Sequence, residues 1–148
     1  MAQERQVDAL EQCIQDMTLY GVYVARHRSV PDFRDGLKEV QRKIIYAMFH
    51  DFNPKQTSTS SAITGTVMYE YHPHGDAAIY TALVNLANKE LFIDKQGNFG
   101  NLFTGDGASA PRYIECRLRP ITKDILNTNP NTKFSFLPRN VWGSGGRP

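Results

Sequence analysis

With 148 residues, 41% of them hydrophobic, the chain is the size of one ordinary domain and has enough apolar residues for a core. A formal charge of +2 excludes a composition that seeks polyanions as a whole, so any nucleic-acid surface must come from local clustering. Cys13 and Cys116 fit no metal spacing, no run approaches the roughly 18 apolar residues of a membrane span, and no secretory leader opens the sequence. These features read as a cytoplasmic protein with reduced thiols.

Leu10, Ile14, Met17, Tyr20 and Val24 recur at helical spacing between Val7 and Val30, which predicts one or two opening helices. Pro31 ends them, and the segment Pro31-Asp32-Phe33-Arg34-Asp35-Gly36 is turn chemistry. Leu37, Val40, Ile44, Ile45 and Met48 predict a second helix over 37–49, with a basic polar face. Residues 53–61 are polar, contain Pro54 and a Thr/Ser run, and read as a loop before a helix over about 60–69. Tyr71-His72-Pro73-His74-Gly75-Asp76 forces a tight turn, and Asp76 is placed to cap a helix carrying Ile79, Leu83 and Leu86 to about Asn88. Helix, tight turn, helix is the pattern of a helix-turn-helix, although helical hairpins commonly serve only to bury their apolar faces. A stretch rich in Gly and Ala follows over 97–110, either a surface that meets a partner closely or a hairpin connection. Arg112 to Leu118 fits a strand or the start of a helix, and 127–148 reads as a frayed tail.

Three constellations bear on chemistry. Arg26, His27, Arg28, Arg34, Lys38, Arg42 and Lys43 form one basic cluster, with Arg112, Arg117 and Arg119 as a second; both are equally readable as solvated faces. His72-x-His74-x-Asp76 opens a zinc-like pattern, but position 77 is Ala and no His follows residue 74, so a metal set is not completed. Arg112-Tyr113 is the third. A phenol, with a pKa of about 10, is a poor nucleophile until its anion is stabilised. An adjacent guanidinium supplies fixed positive charge and a bidentate grip on phosphate.

The blocks Val30-Pro31-Asp32-Phe33-Arg34-Asp35-Gly36-Leu37-Lys38 with Gln41-Arg42-Lys43, Tyr71-His72-Pro73-His74-Gly75-Asp76, Gln96-Gly97-Asn98-Phe99-Gly100, and Arg112-Tyr113 through Arg117-Leu118 stand in a fixed order. In order and separation they resemble the A subunit of the bacterial type IIA topoisomerases, DNA gyrase and topoisomerase IV, over about residues 17–126. The resemblance implies an α+β, mainly helical fold: a winged-helix domain of the catabolite-activator type with a helix-turn-helix. It implies an N-terminal helical arm over 1–30, the DNA-cleavage domain over 31–126 and a truncated or divergent tail over 127–148. Tyr113 would attack a phosphodiester and become linked to the 5′ phosphate, with Arg112, His74, Arg28 and Lys38 around the scissile phosphate. Arg34, Arg42, Lys43, His72, Gly75, Asp76, Ala77 and Thr81 would lie against DNA.

The resemblance also implies partners: double-stranded DNA, a separate B subunit with ATPase and TOPRIM domains that binds ATP and Mg2+, and a second A subunit in a full-length homodimer. This chain would bind neither cofactor and would not cleave efficiently alone; it has no phosphate-binding Gly loop and no Asp-x-Asp pair. Two departures stand out. The family often has Ser and an acid where this chain has Ala77 and Thr81, the anchor of the water-metal bridge to quinolones. Weak quinolone response is therefore expected, checked by whether a fluoroquinolone traps breaks in a cleavage assay at ordinary potency. The tower, coiled-coil gate and DNA-wrapping regions have no counterpart in these 148 residues. That leaves open a second reading, a non-catalytic module or decoy that binds DNA or the B subunit without cutting.

Overall fold

The computed structural model describes residues 8–33, 35–101 and 103–122, apart from the side chains of Arg26 and His27. Arg34 and the 127–148 tail lie outside them. The chain divides into two compact units, residues 1–39 and 40–148.

In the first unit, helix α1 spans Ala9–Val24 and is started by Asp8, whose carboxylate accepts from the Leu10 N–H at 2.9 Å. Gln12 donates to Asp16 one turn on, at 2.9 Å. The apolar positions Leu10, Ile14, Met17 and Tyr20 are all exposed, and α1 buries none of its residues. A π-helical turn over Ala25–Ser29 continues it, and the Val30 N–H closes on the Ala25 carbonyl. The expected turn then follows: Gly36 N–H donates to the Asp32 carbonyl at 2.8 Å, Asp32 N–H to that of Leu37 at 3.0 Å, and the Asp35 carboxylate accepts from Leu37 N–H.

The second unit is built around helices α2 (Glu39–His50), α3 (Ser60–Thr66) and α4 (Asp76–Asn88) and a small antiparallel sheet. A π-helical turn over Val67–Tyr71 extends α3. Strands β1 (Ser58–Thr59), β2 (Ile93–Gln96) and β3 (Glu115–Leu118) lie in the order β1-β3-β2, with Ser58 opposite Cys116 and Ile93 opposite Leu118. The class is α+β, with about half of the described residues helical. None of the described helices is long and apolar enough to cross a membrane.

The helical apolar spacing becomes the core: Ile44, Ile45, Ile63, Val67, Ile79, Leu83 and Leu86 are fully buried beside Ile93, Ile114 and Leu118 of the sheet layer. Each such side chain contributes roughly 1.5–3 kcal/mol by leaving water. The open choice at 112–118 resolves as a turn followed by β3, which alternates as a half-buried strand should: Cys116 and Leu118 inward, Arg117 outward. Burial pushes the Cys116 thiol up to about 12. Three details differ from what the sequence predicts. Two residues of the 53–61 loop form β1, because Ser58 and Thr59 pair with β3. Helix α2 starts at Glu39 rather than Leu37, whose N–H and C=O are used in the preceding turn. Gly75, not Asp76, is the N-cap of α4; the Asp76 carboxylate accepts from the adjacent Ala77 N–H at 2.8 Å.

Candidate nucleic-acid site

Tyr113 occupies a turn just before β3, between the surface residue Arg112 and the core residue Ile114. Burial of Ile114 and pairing of β3 fix the backbone on one side, while the Tyr113 ring is 71% exposed and reachable by a large substrate. The turn is held from several directions. Tyr113 N–H donates to the Ala110 carbonyl at 2.9 Å, and Ser109 N–H to that of Asn98 at 3.0 Å. From the start of α3, Ser60 N–H donates to the Ile114 carbonyl at 2.9 Å and Ser61 N–H to the Pro111 carbonyl at 3.1 Å. From α4, the Tyr80 hydroxyl donates to the Ser109 carbonyl, and Asn88 donates to the Phe99 carbonyl at 2.9 Å.

The Arg112 guanidinium carbon lies 5.1 Å from the Tyr113 ring centroid, within cation–π range. A cation there favours a developing phenolate and leaves guanidinium N–H groups for a phosphate. Two other tyrosines of the unit are made poor nucleophiles. Burial, then the hydrogen bond to the Asp51 carboxylate at 2.9 Å, pushes the Tyr71 phenol far above its ordinary range, and burial raises that of Tyr80.

The His-Pro-His-Gly-Asp turn connects the end of the α3 extension to α4. His72 N–H donates to the Val67 carbonyl, His74 N–H to that of His72, and the two rings meet edge to face at 4.4 Å. Lys43 of α2 brings its ammonium to 3.4 Å from His72 Nδ1, so Lys43, His72 and His74 form one cluster of side chains. Lys43 and Arg42 are largely buried, whereas His74, Gly75, Asp76, Ala77 and Thr81 are exposed. The Thr81 hydroxyl is turned back onto the Ala77 carbonyl at 2.8 Å. Between α3 and α4 runs a groove of about 400 Å³ walled by Ser61, Gly65, Met68, Asp76, Ala77 and Pro111. It brings the N-terminus of α4 to the segment that carries Tyr113.

Arg28 and Lys38 are exposed residues of the first unit. The second basic group divides in two. Arg112 stands over Tyr113, while Arg117 and Arg119 both reach Asp94, at 3.4 and 2.9 Å. Tyr80 is not singled out by the sequence. Its hydroxyl meets a carbonyl 29 positions away, a contact that no local pattern announces.

The sequence profile of the family formed by the A subunits of DNA gyrase and topoisomerase IV matches residues 28–139. The chain belongs to that family. It is 56% identical over 125 residues to the A subunit of DNA topoisomerase 4 from Borreliella burgdorferi, an overlap of 82% of this chain and 19% of that protein. It is 44% identical over 126 residues to the A subunit of DNA gyrase from Buchnera aphidicola and 38% identical over 125 to the A subunit of DNA topoisomerase 4 from Bacillus subtilis. Each of these two overlaps takes in 80% of this chain and 15% of the relative. The chain thus spans less than a fifth of the length of these relatives and corresponds to the N-terminal region of such A subunits. Every residue named above for the tyrosine turn, the His-Pro-His-Gly-Asp turn and α4 falls inside the matched span.

Proposed function

We propose that this chain is the DNA-cleaving segment of a type IIA topoisomerase A subunit, with Tyr113 as its nucleophile. The observation that carries the reading is the exposed Tyr113 ring beneath the Arg112 guanidinium, on a turn tied to both α3 and α4. In the reaction the Tyr113 oxygen loses its proton and bonds to phosphorus, the bond from phosphorus to the 3′ oxygen breaks, and that oxygen leaves as a hydroxyl. A 5′-phosphotyrosyl link results. One phosphoester bond replaces another, so the reverse attack reseals the strand without an external energy source.

In this reading α3, the His-Pro-His-Gly-Asp turn and α4 act as the helix-turn-helix of a winged-helix domain, with β2 and β3 flanking the wing. The N-terminus of α4 presents Gly75, Asp76, Ala77 and Thr81 to the duplex. Arg112 and His74 stabilise the phosphate under attack. By motif position the family resemblance gives Arg28 and Lys38 the same role and Arg34 and His72 contacts to DNA, while Arg42 and Lys43, largely buried, add positive charge from behind the surface. Mg2+ and ATP belong to the partner B subunit, whose residues would hold the metal; it would supply charge neutralisation at the leaving oxygen. Two A subunits place one tyrosine on each strand, and a cytoplasmic location follows from the DNA substrate.

The test is label transfer. The chain is mixed with an ATPase/TOPRIM subunit, Mg2+ or Ca2+ and end-labelled duplex, then denatured and separated. Label migrating with the chain is expected. DNA binding without any label transfer would replace this reading with the non-catalytic one. Because the contacts proposed are cationic, affinity for duplex should also fall about 100-fold or more between about 50 and 200 mM salt, as for roughly four to five phosphate contacts. A binding titration insensitive to salt would remove the basic surface from the reading.

A further inference from the structure

The two sides of the Tyr113 turn are held by unlike devices. On the α3 side the bonds are from backbone N–H groups, Ser60 to Ile114 and Ser61 to Pro111. Most residue types could make those. On the α4 side the contact comes from a side chain: the Tyr80 hydroxyl donates to the carbonyl of Ser109, four residues before Tyr113. Tyr80 is well placed for this. Its neighbour Ile79 and, one turn on, Leu83 are fully buried, so the helix that aims the phenol is locked into the core. Tyr80 is half-buried in the wall of the groove that also includes Asp76, Ala77 and Pro111. One side chain therefore links the helix N-terminus read as meeting DNA to the turn that bears the tyrosine.

We propose that Tyr80 is a positioning residue for Tyr113: its hydrogen bond to Ser109 sets the distance between the α4 N-terminus and the nucleophile's turn. The inference rests on Tyr113 being the nucleophile. With the phosphodiester held against α4 and the attacking oxygen carried by the turn, the attack distance depends on this link. Attack needs reacting atoms about 3–3.5 Å apart, and a misplacement of about 1 Å can cost on the order of 100-fold in rate. A burial-raised phenol suits this role, because it stays protonated and keeps donating as pH rises.

The experiment is Tyr80→Phe, which keeps the ring and removes only the donor, in the full chain with the B subunit present on labelled duplex. The maximal rate of label transfer should fall about 10- to 100-fold while the half-saturating DNA concentration and the melting temperature stay unchanged. Hydrogen exchange gives a second readout that needs no activity. The Ser109 and Tyr113 amides, both hydrogen-bonded, should exchange faster in the variant while those of α4 do not. Unchanged exchange at these amides, an unchanged maximal rate, or a loss confined to half-saturation would each overturn the positioning role. Label transfer that survives in Tyr113→Phe would instead overturn the nucleophile reading, with the exchange result still deciding whether the clamp exists.

Discussion

Tyr113→Phe should abolish label transfer, a loss on the order of 10⁴-fold or more, while leaving duplex affinity and fold in place. The direction follows from what the substitution removes. In the proposed reaction the attacking atom is the phenolic oxygen, and Phe retains the ring that the Arg112 guanidinium covers at 5.1 Å. The hydroxyl is carried on a ring 71% exposed, so its removal leaves no cavity and should cost no more than about 0.5 kcal/mol of stability. Two of the unit's other tyrosines are poorly suited to replace it. Tyr71 holds its proton between burial and the Asp51 carboxylate, and Tyr80 is turned onto the Ser109 carbonyl. A variant that still accumulates label at the wild-type rate would place the nucleophile elsewhere. A variant that loses label but also unfolds would contradict the exposure on which the assignment rests, and circular dichroism with a melting curve separates the two.

How far the sequence alone reaches depends on the range of the interaction. Helices α1 to α4 were legible because apolar residues at helical spacing report which face is buried, and the 31–36 turn because Pro, Asp and Gly fix backbone angles locally. The strands were not. β1 has two residues and β2 four, too short for alternation to be distinguished from loop, and β3 becomes a strand through partners as distant in sequence as Ser58 and Ile93. Periodicity also says that a helix has an apolar stripe, not what covers it: the stripe of α1 is exposed. At the candidate site, Arg112 and Tyr113 could be paired from adjacency. The bonds that hold them could not, because Ser60, Ser61 and Tyr80 reach the turn from far away in the sequence. Burial of Lys43 and its approach to His72 were equally invisible, since the contact joins α2 to a residue 29 positions away.

Gly100→Ala should be the most damaging of the small substitutions in the loop that leads to Tyr113, lowering stability by about 2–4 kcal/mol and the melting temperature on the order of 10 °C. Two costs coincide there. Gly100 has φ +80°, a left-handed conformation unfavourable for any residue with a Cβ. An added Cβ would also stand 2.6 Å from the Asp106 carbonyl oxygen and 3.0 Å from the Ala108 nitrogen, and both are backbone atoms that cannot swing aside. Relieving the clash means opening the Asn101 and Asp106 pair, whose N–H to carbonyl bond at 3.0 Å closes the loop. Its neighbours separate the two costs. Gly105 shares the left-handed conformation, at φ +77°, but has open space around it, so Gly105→Ala should cost only about 1 kcal/mol. Gly107 lies in open space without a positive φ, and Gly107→Ala should be neutral or slightly stabilising. Equal losses at Gly100 and Gly105 would mean that the dihedral alone matters and the loop yields to the methyl group. The graded order would mean that the loop is rigid, which is what a loop must be if Ser109, tied to Asn98 within it, is to hold Tyr113 at attack distance.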